Sequence, residues 1–325
     1  MLRVDDAATI KERPVMTNSD HAQAPEQPPA PGPEVRPVGP NERIIRANGV
    51  DLCVQTFGDI ADPPILLIMG GASSMDWWEE GFCDRLMAGS RFVIRYDHRD
   101  TGRSISYEPG AAPYSLRDLA EDAVGLLDAF GLDSAHLVGM SVGGWIGQLV
   151  ALDHPDRVAS LTLISTSPTA GPGDPDLPEM SEELRAFFAE EAPEPDWSDR
   201  DAVIDYMVEG ERPFAGSRPF DGAAIREIAA RAFDRTTNLA SGITNHGGID
   251  TGARWRERLG EVSAPTLVIH GTEDPMFPYG NAVALAKEIA GARLLALERV
   301  GHEVPPRDLW DAVVPAVLRH TASAP

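Results

Sequence analysis

The sequence predicts an α/β protein whose mostly parallel sheet is flanked by helices. Short apolar runs rich in β-branched residues alternate with longer runs whose apolar residues recur at helical spacing. Strands connected through helices form parallel sheets with right-handed crossovers. The alternation stops after residue 166 and resumes after residue 255. We therefore expect one core, formed by residues 41–167 and 256–325, with residues 168–255 inserted into it.

Eight strands are predicted from short apolar runs that end at turn residues. Asn48-Gly49 separates the first two runs and is a favoured hairpin turn, so we expect these two strands to pair antiparallel. The predicted strands cover residues 43–47, 51–57, 65–69, 91–96, 135–138, 160–165, 266–270 and 293–297.

Five helices of the core are predicted from helical spacing of apolar residues. Ser115 is suited to cap the second of them, and Asp118 adds a negative charge to its first turn. The predicted helices cover residues 76–87, 115–130, 144–154, 280–289 and 307–320.

The inserted residues 168–255 are helical in pattern and rich in aromatic side chains. A long insertion in an α/β core is often a lid over an active site. We therefore expect a helical cap that excludes water and supplies an apolar pocket. In the alternative interpretation, the aromatic side chains form only the cap's own core.

The first forty residues differ from the rest in composition. Residues 25–33 are dominated by proline, and large apolar side chains are few up to residue 40. Such a segment cannot bury enough apolar surface to fold, so we predict a disordered extension over residues 1–40. Alternatively, the natural chain starts at Met16, and the residues before it are an artefact of the assigned start.

The chain is strongly acidic, with 51 acidic and 28 basic residues and a formal net charge of −23. Such a surface repels nucleic acid and anionic lipid, so neither is an expected partner. The sequence has no apolar run long enough for a membrane-spanning helix, no secretory signal pattern, and two cysteines that give no disulfide framework. We expect a cytoplasmic protein, and a homo-oligomer is left open.

A Gly-x-Ser-x-Gly motif at residues 139–143 is the strongest chemical signal. It follows the predicted strand at 135–138 and precedes the predicted helix at 144–154. In this setting the serine lies on a tight turn with its hydroxyl raised out of the sheet, as a nucleophile requires. Ser141 is therefore the candidate nucleophile, and an ordinary glycine-rich turn is the alternative.

A serine nucleophile needs a base and an acid that orients the base. Asp274 follows the strand at 266–270, where open α/β sheets place functional groups, and His302 follows the strand at 293–297. We expect His302 to be the base and Asp274 its acid. Alternatives are Asp274 as a helix N-cap, Glu273 as the acid, and His302 as an ordinary loop residue.

Backbone N–H groups are expected to stabilise the charge that develops on the reacting carbonyl oxygen. One donor is the N–H of Val142, directly after the serine, and the other is the N–H of Gly71, with Ala72 as the alternative. The candidate substrate contacts are Met140, Trp145 and Met276.

Residues 97–104 are densely charged, and we expect these charges to pair with each other and brace the neighbouring loop. The sequence has neither zinc-ligand spacing nor a phosphate-binding glycine loop, so no metal and no cofactor are predicted.

These motifs together resemble the α/β-hydrolase fold, and most closely the aclacinomycin methylesterase group. Enzymes of that group cleave a methyl ester on an anthracycline polyketide. The resemblance covers about residues 43 to 322 and implies a Ser-Asp-His triad formed by Ser141, Asp274 and His302. The matching stretches are residues 66–71, 94–104, 139–143, 151–157, 265–269 and 301–302.

The predicted function is hydrolysis of a hydrophobic small-molecule carboxylic ester, such as a polyketide methyl ester, through an acyl-enzyme. The same triad could instead hydrolyse a carbon–carbon bond or use peroxide, because the fold alone does not fix the reaction. A binding protein without catalysis is a third interpretation. Ser141 argues against enzymes of this fold that use an aspartate nucleophile.

Overall fold

A computed structural model describes residues 35–39, 41–170, 174–190 and 193–322, with side chains from residue 41 onwards. Residues 1–34, most of the predicted extension, lie outside the described part. Residues 35–39, predicted to be disordered, form a strand instead, because their backbone pairs antiparallel with the edge of the next strand.

The described residues form one nine-stranded sheet in the order β1-β2-β3-β5-β4-β6-β7-β8-β9. The first three strands and the β3–β5 pair are antiparallel, and all other pairs are parallel. All eight predicted strands are present, and β1 is the ninth. The strands are β1 (Val35–Gly39), β2 (Glu42–Ala47), β3 (Val50–Phe57), β4 (Pro64–Ile68), β5 (Phe92–Tyr96), β6 (Ala135–Met140), β7 (Val158–Ile164), β8 (Thr266–Gly271) and β9 (Arg293–Leu297).

Helices cover both faces of this sheet, and the five predicted core helices are present. Ser115 and Asp118 form a reciprocal capping box at the start of α2, as their positions in the sequence predict. The helices are α1 (Glu80–Ala88), α2 (Leu116–Phe130), α3 (Val142–Asp153), α4 (Glu182–Ala189), α5 (Arg200–Glu211), α6 (Gly222–Arg235), α7 (Leu239–Gly247), α8 (Gly280–Glu288) and α9 (Trp310–Ala322). Short 3-10 turns lie at Met75–Trp77, Pro155–Arg157, Arg212–Phe214, Arg256–Glu261 and Arg307–Leu309.

The apolar core is divided by the sheet into two layers. Along β4, Leu66 and Ile68 belong to the layer beneath α2 and α3, whereas Ile65 and Leu67 belong to the layer beneath α1 and α9. This alternation follows from the two-residue period of a strand. Because β4 is buried on both faces, the loop that follows it starts from a fixed point in the middle of the sheet.

Helices α4 to α7 lie between β7 and β8 and form the inserted segment, which we call the insert. Its last helix leads back to the core at Asp250, whose carbonyl accepts the N–H of Leu116. Trp255, which the sequence predicts to be part of the insert, is buried in the core, and its Nε1–H donates to Gln148.

A buried ion cluster ties the insert to the core. Arg235, at the end of α6, donates to Glu42 at 2.7 Å and to Asp97 at 2.8 Å, and it also pairs with Asp76. Its side chain is 11 % exposed, and that of Asp97 is fully buried. One guanidinium thus compensates three carboxylates from separate parts of the core, so its loss leaves buried charges without a partner.

We expect Arg235→Met to lower the free energy of unfolding by about 3–5 kcal/mol, the usual cost of removing one partner of a buried ion pair. Arg200→Met is the matched control, because Arg200 pairs with Asp234 while 46 % exposed, and such a pair contributes about 0–1 kcal/mol. Urea unfolding followed by circular dichroism measures both. Equal losses in the two variants would show that the cluster does not stabilise the fold.

Candidate active site

Ser141 lies at the junction of β6 and α3 in a strained backbone conformation. Its φ is 53° and its ψ is −117°, a region that costs a residue with a side chain about 1–3 kcal/mol. The surrounding backbone fixes this conformation, because the N–H of Ser141 donates to Ile164 at 2.9 Å and its carbonyl accepts from the Thr166 hydroxyl at 2.8 Å. The serine is therefore held on a sharp turn, as the motif predicts.

Three glycines make this turn sterically feasible. A β-carbon at Gly139 would lie 2.1 Å from the carbonyl oxygen of Gly143, and one at Gly143 would lie 2.2 Å from that of Ile68. A β-carbon at Gly144 would lie 2.6 Å from the Thr166 side chain. A side chain at Gly139 or Gly143 would therefore push neighbouring backbone away, and one at Gly144 would displace the Thr166 side chain.

Ser141, His302 and Asp274 form a continuous hydrogen-bonded chain. Nε2 of His302 is 3.1 Å from the Ser141 hydroxyl, and Nδ1 is 2.9 Å from a carboxylate oxygen of Asp274. With Nδ1–H donating to Asp274, Nε2 is free to accept the serine proton. Ser141 is 6 % exposed and His302 is 7 % exposed, so these hydrogen bonds are largely shielded from solvent.

Asp274 is set up to remain a carboxylate. Oδ1 of Asp274 accepts the N–H groups of Met276 at 2.9 Å and Phe277 at 2.8 Å. Nε2 of His270 lies 3.3 Å from Oδ2, the oxygen that faces His302. Burial alone raises the pKa of Asp274, but the charge of His302 and hydrogen bonds from both histidines outweigh it and hold the pKa well below its ordinary value.

The alternatives for the acid do not fit the structure. Helix α8 begins at Gly280 with Tyr279 at its N-cap, so Asp274 does not cap it. Glu273 is exposed and accepts the N–H of Ser217 at 2.6 Å, away from the imidazole.

The loop after β4, Met69-Gly70-Gly71-Ala72, runs beside the first residue of α3. We call it the β4 loop. A β-carbon at Gly71 would lie 3.1 Å from the Val142 side chain, so the two candidate donors are neighbours. The N–H of Val142 is in the first helical turn, where no intrahelical acceptor exists. The N–H of Ala72, the alternative to Gly71, donates to Nδ1 of His246 at 2.7 Å and is therefore already paired.

The insert contributes directly to the position of His302. The carbonyl of Phe214 accepts the N–H of His302 at 2.7 Å, and the rings of Phe214 and Phe277 lie 6.0 and 5.3 Å from the imidazole. Sequence reasoning missed both phenylalanines and the contact of His270 with Asp274. The contacts of Phe214 and Phe277 with His302 join residues far apart in sequence, for which neither motif spacing nor periodicity carries a signal. His270 and Asp274 are four residues apart, and the turn after β8 brings them together.

The three candidate substrate contacts occupy different environments. Met140 is 5 % exposed and belongs to the same buried apolar cluster as Met69. Trp145 is half-buried, donates to Ser167 at 3.0 Å and lies 5.6 Å from the ring of Phe277, on the side of His302. Met276 is half-buried and contacts Asp274 through its backbone N–H.

The charged residues 97–104 brace the site, but their side chains pair mainly outside the segment. Arg99 makes two hydrogen bonds of 2.7 Å to Asp122 of α2, and Asp97 pairs with Arg235 of the insert. The expectation that these charges pair with each other was therefore wrong.

In the described ranges, no group of three or more His, Cys, Asp or Glu residues could hold a metal ion, and no helix is long and apolar enough to cross a membrane.

We expect Gly139→Ala to destabilise the fold by about 1–3 kcal/mol or more, because its β-carbon must displace backbone rather than a flexible side chain. The turn would shift with it, and a serine-reactive fluorophosphonate would label Ser141 more slowly. Gly210→Ala is the control, since a β-carbon there meets nothing within 4 Å and alanine is favoured in a helix by about 0.5–1 kcal/mol. Unchanged stability and labelling in Gly139→Ala would contradict the steric argument.

Curated relatives of the chain are hydrolases. It is 34 % identical over 295 residues to the rhodomycin D methylesterase DauP of Streptomyces sp. (strain C5), covering 87 % of this chain and 98 % of the relative. It is 34 % identical over 299 residues to the methylesterase DnrP of Streptomyces peucetius, with the same coverages. A putative carbamate hydrolase, RutD of Variovorax paradoxus, is 32 % identical over 265 residues, covering 76 % and 88 %. The predicted resemblance to methylesterases is confirmed.

Solved structures give the same fold. An esterase from Rhodococcus sp. ECU1013 superposes with a TM-score of 0.71 at 21 % identity, covering 88 % of this chain and all of the other. A hydrolase from Pseudomonas aeruginosa superposes with a TM-score of 0.63 at 26 % identity, covering 87 % and 99 %. A family model described as alpha/beta hydrolase fold matches residues 63–306. The chain therefore belongs to the α/β hydrolase fold family.

Proposed function

We propose that the protein hydrolyses a hydrophobic carboxylic ester through an acyl-enzyme formed on Ser141. The observation that carries this proposal is the hydrogen-bonded chain from the Ser141 hydroxyl through His302 to Asp274. The curated relatives support a hydrolase of the carboxylesterase type. The roles of individual residues are inferred from the geometry, and the kind of ester is inferred from the aromatic side chains around His302 and from the methylesterase relatives.

In the first half of the reaction, the Ser141 hydroxyl attacks the ester carbonyl while Nε2 of His302 takes its proton. Asp274 accepts the Nδ1–H of His302 and stabilises the imidazolium that forms. In this proposal the N–H groups of Val142 and Gly71 donate to the negatively charged oxygen of the tetrahedral intermediate. His302 then returns the proton to the departing alcohol, which leaves an ester between the acyl group and Ser141.

In the second half, a water molecule replaces the alcohol. Nε2 of His302 takes a proton from the water as its oxygen attacks the acyl carbonyl, and the same N–H donors stabilise the second intermediate. Its collapse returns the proton to Ser141 and releases the carboxylic acid. The low pKa of Asp274 supports both halves, because a carboxylate is needed each time His302 becomes positively charged.

The substrate is proposed to be a bulky aromatic methyl ester. Phe214 and Phe277 flank His302, and Trp145 stacks at an angle on Phe277, so the reacting groups are bordered by aromatic rings. Rings of this kind favour flat apolar ligands. The rhodomycin D methylesterases supply the methyl ester as the bond cleaved. The insert that carries Phe214 acts in this proposal as the cap that excludes water.

Ser141→Ala is expected to lower turnover of an ester by several powers of ten, because the acyl-enzyme cannot form. Intact-protein mass after fluorophosphonate treatment should show one adduct on the wild type and none on this variant. Ser198→Ala, on an exposed turn of the insert, is the control and should keep both the adduct and the rate. A folded Ser141→Ala protein that turns over at the wild-type rate would rule out the mechanism.

Selectivity for bulky esters is expected to depend on Phe214. The wild type should cleave a polycyclic aromatic methyl ester with a higher kcat/KM than a short-chain aliphatic ester, because aromatic contacts contribute about 0.5–1.5 kcal/mol each beyond area burial. Phe214→Leu should reduce that preference, whereas Phe220→Leu, whose ring contacts Arg212 rather than His302, should preserve it. Equal kcat/KM for both esters in the wild type would exclude a shaped aromatic pocket.

A further inference from the structure

We propose that His246 of α7 is a positioning residue for the β4 loop, and that its hydrogen bond to Ala72 fixes the direction of the Gly71 N–H. This inference rests on the proposed function, because it concerns the oxyanion donors of the same reaction. It assigns a role in the site to a residue of the insert that follows the motif around Ser141 by more than a hundred positions.

Two imidazoles hold the β4 loop at its two ends. Nε2–H of His98 donates to the carbonyl of Met69 at 2.9 Å, and Nδ1 of His246 accepts the N–H of Ala72 at 2.7 Å. The first contact fixes the peptide unit between Met69 and Gly70, and the second fixes the unit between Gly71 and Ala72. The peptide unit between them carries the Gly71 N–H, so its direction is set by two anchored neighbours.

The conformation at Ala72 needs such an anchor. Its φ is 61°, in the left-handed region that is costly for a residue with a side chain. Gly71, which precedes it, has no side chain to restrict its backbone. The hydrogen bond to His246 stabilises the left-handed conformation directly, and the Ser73 hydroxyl donates to the Gly71 carbonyl at 3.3 Å. Both ends of the Gly71–Ala72 peptide unit are therefore held.

The contacts of His246 define its tautomer. Nδ1 accepts a hydrogen bond, so it carries no proton, and Nε2–H donates to the carbonyl of Arg99 at 2.8 Å. A protonated imidazole could not accept from Ala72. Burial lowers the pKa of His246, and burial, with a smaller contribution from the neighbouring His246, lowers the pKa of His98 to about 3, so protonation of either imidazole is disfavoured.

Packing around α7 keeps His246 in place. Asn245 donates to the Asp100 carboxylate at 2.9 Å, and a β-carbon at Gly242 would lie 2.8 Å from the Asp100 carbonyl, so the helix sits tightly on the loop after β5. His246 itself is 7 % exposed, and its two ring nitrogens bond to backbone groups rather than to Ser141 or His302. It therefore acts through the β4 loop and does not touch the reacting atoms.

Two substitutions separate the two ring contacts. His246→Asn places an amide oxygen near the position of Nδ1 and keeps an acceptor for Ala72. His246→Gln places an amide nitrogen near the position of Nε2 and keeps a donor for Arg99, but loses the acceptor. We expect kcat to fall about 10- to 100-fold in His246→Gln with little change in KM, and His246→Asn to stay within about threefold of the wild type.

The wild type and Ser141→Ala are measured beside these variants, so that failure of the proposed function can be distinguished from failure of this inference. Absence of Ser141-dependent hydrolysis in the wild type overturns the proposed function and this inference with it. Ser141-dependent hydrolysis with equal kcat in the Asn and Gln variants overturns this inference alone. Thermal unfolding is recorded for each variant, since a structural role would change stability and KM along with kcat.

A measurement on the unmodified protein covers the case in which His246→Gln does not fold. Nitrogen-15 NMR of the histidine side chains reports which ring nitrogen carries the proton. The inference requires an unprotonated Nδ1 and a protonated Nε2 for His246 throughout the pH range in which the enzyme is active. A protonated Nδ1 within that range overturns it.

Discussion

The backbone of Ser141 is the constraint on which the other features of the site depend. Its positive φ turns the chain from β6 into α3 within one residue, and glycines at 139, 143 and 144 allow the backbone to pass that closely. The approach of Gly143 to Ile68 also brings the start of α3 against the end of β4. The same packing that raises the serine therefore sets Val142 beside Gly71. The positions of the proposed nucleophile and of the proposed oxyanion donors thus follow from one close contact between β4, β6 and α3.

Three of the buried histidines near this turn, His302, His246 and His98, differ in the group that faces Nδ1, and this difference determines what each imidazole can do. Nδ1 of His302 faces the Asp274 carboxylate, which can stabilise a positive imidazole during the reaction. Nδ1 of His246 faces the N–H of Ala72, and that of His98 is buried with no partner among the described residues. Gaining a proton would cost His246 a hydrogen bond and would leave a charge buried in His98. In the proposed mechanism His302 transfers protons, whereas His246 and His98 hydrogen-bond to backbone groups of the β4 loop.

Local sequence signals predict most of the fold and the three residues of the proposed triad, and most of what they miss depends on long-range contacts. The strands, the core helices, the Ser115 cap and the residues of the Ser141–His302–Asp274 chain each follow from spacing within about ten residues. The bond between Ala72 and His246 joins residues 174 positions apart, and Arg235 reaches Asp97 across 138. Neither pair lies in a pattern that periodicity can detect. Trp255 was assigned to the insert because an aromatic residue after helical segments gives no local sign of whether it belongs to a cap or to the core. Its partner in the core, Gln148, is 107 positions away.

The insert has a part that is fixed to the core and a part that is less anchored. The carbonyl of Phe214 holds the His302 N–H, the end of α6 enters the ion cluster through Arg235, and α7 holds the β4 loop through His246. Helix α4 by contrast buries one residue, Leu184, and exposes 54 % of Phe188. An outward swing of the whole insert would break the contacts that orient the base and the β4 loop. A local displacement of α4, which has one buried side chain to expose, would cost less than such a swing.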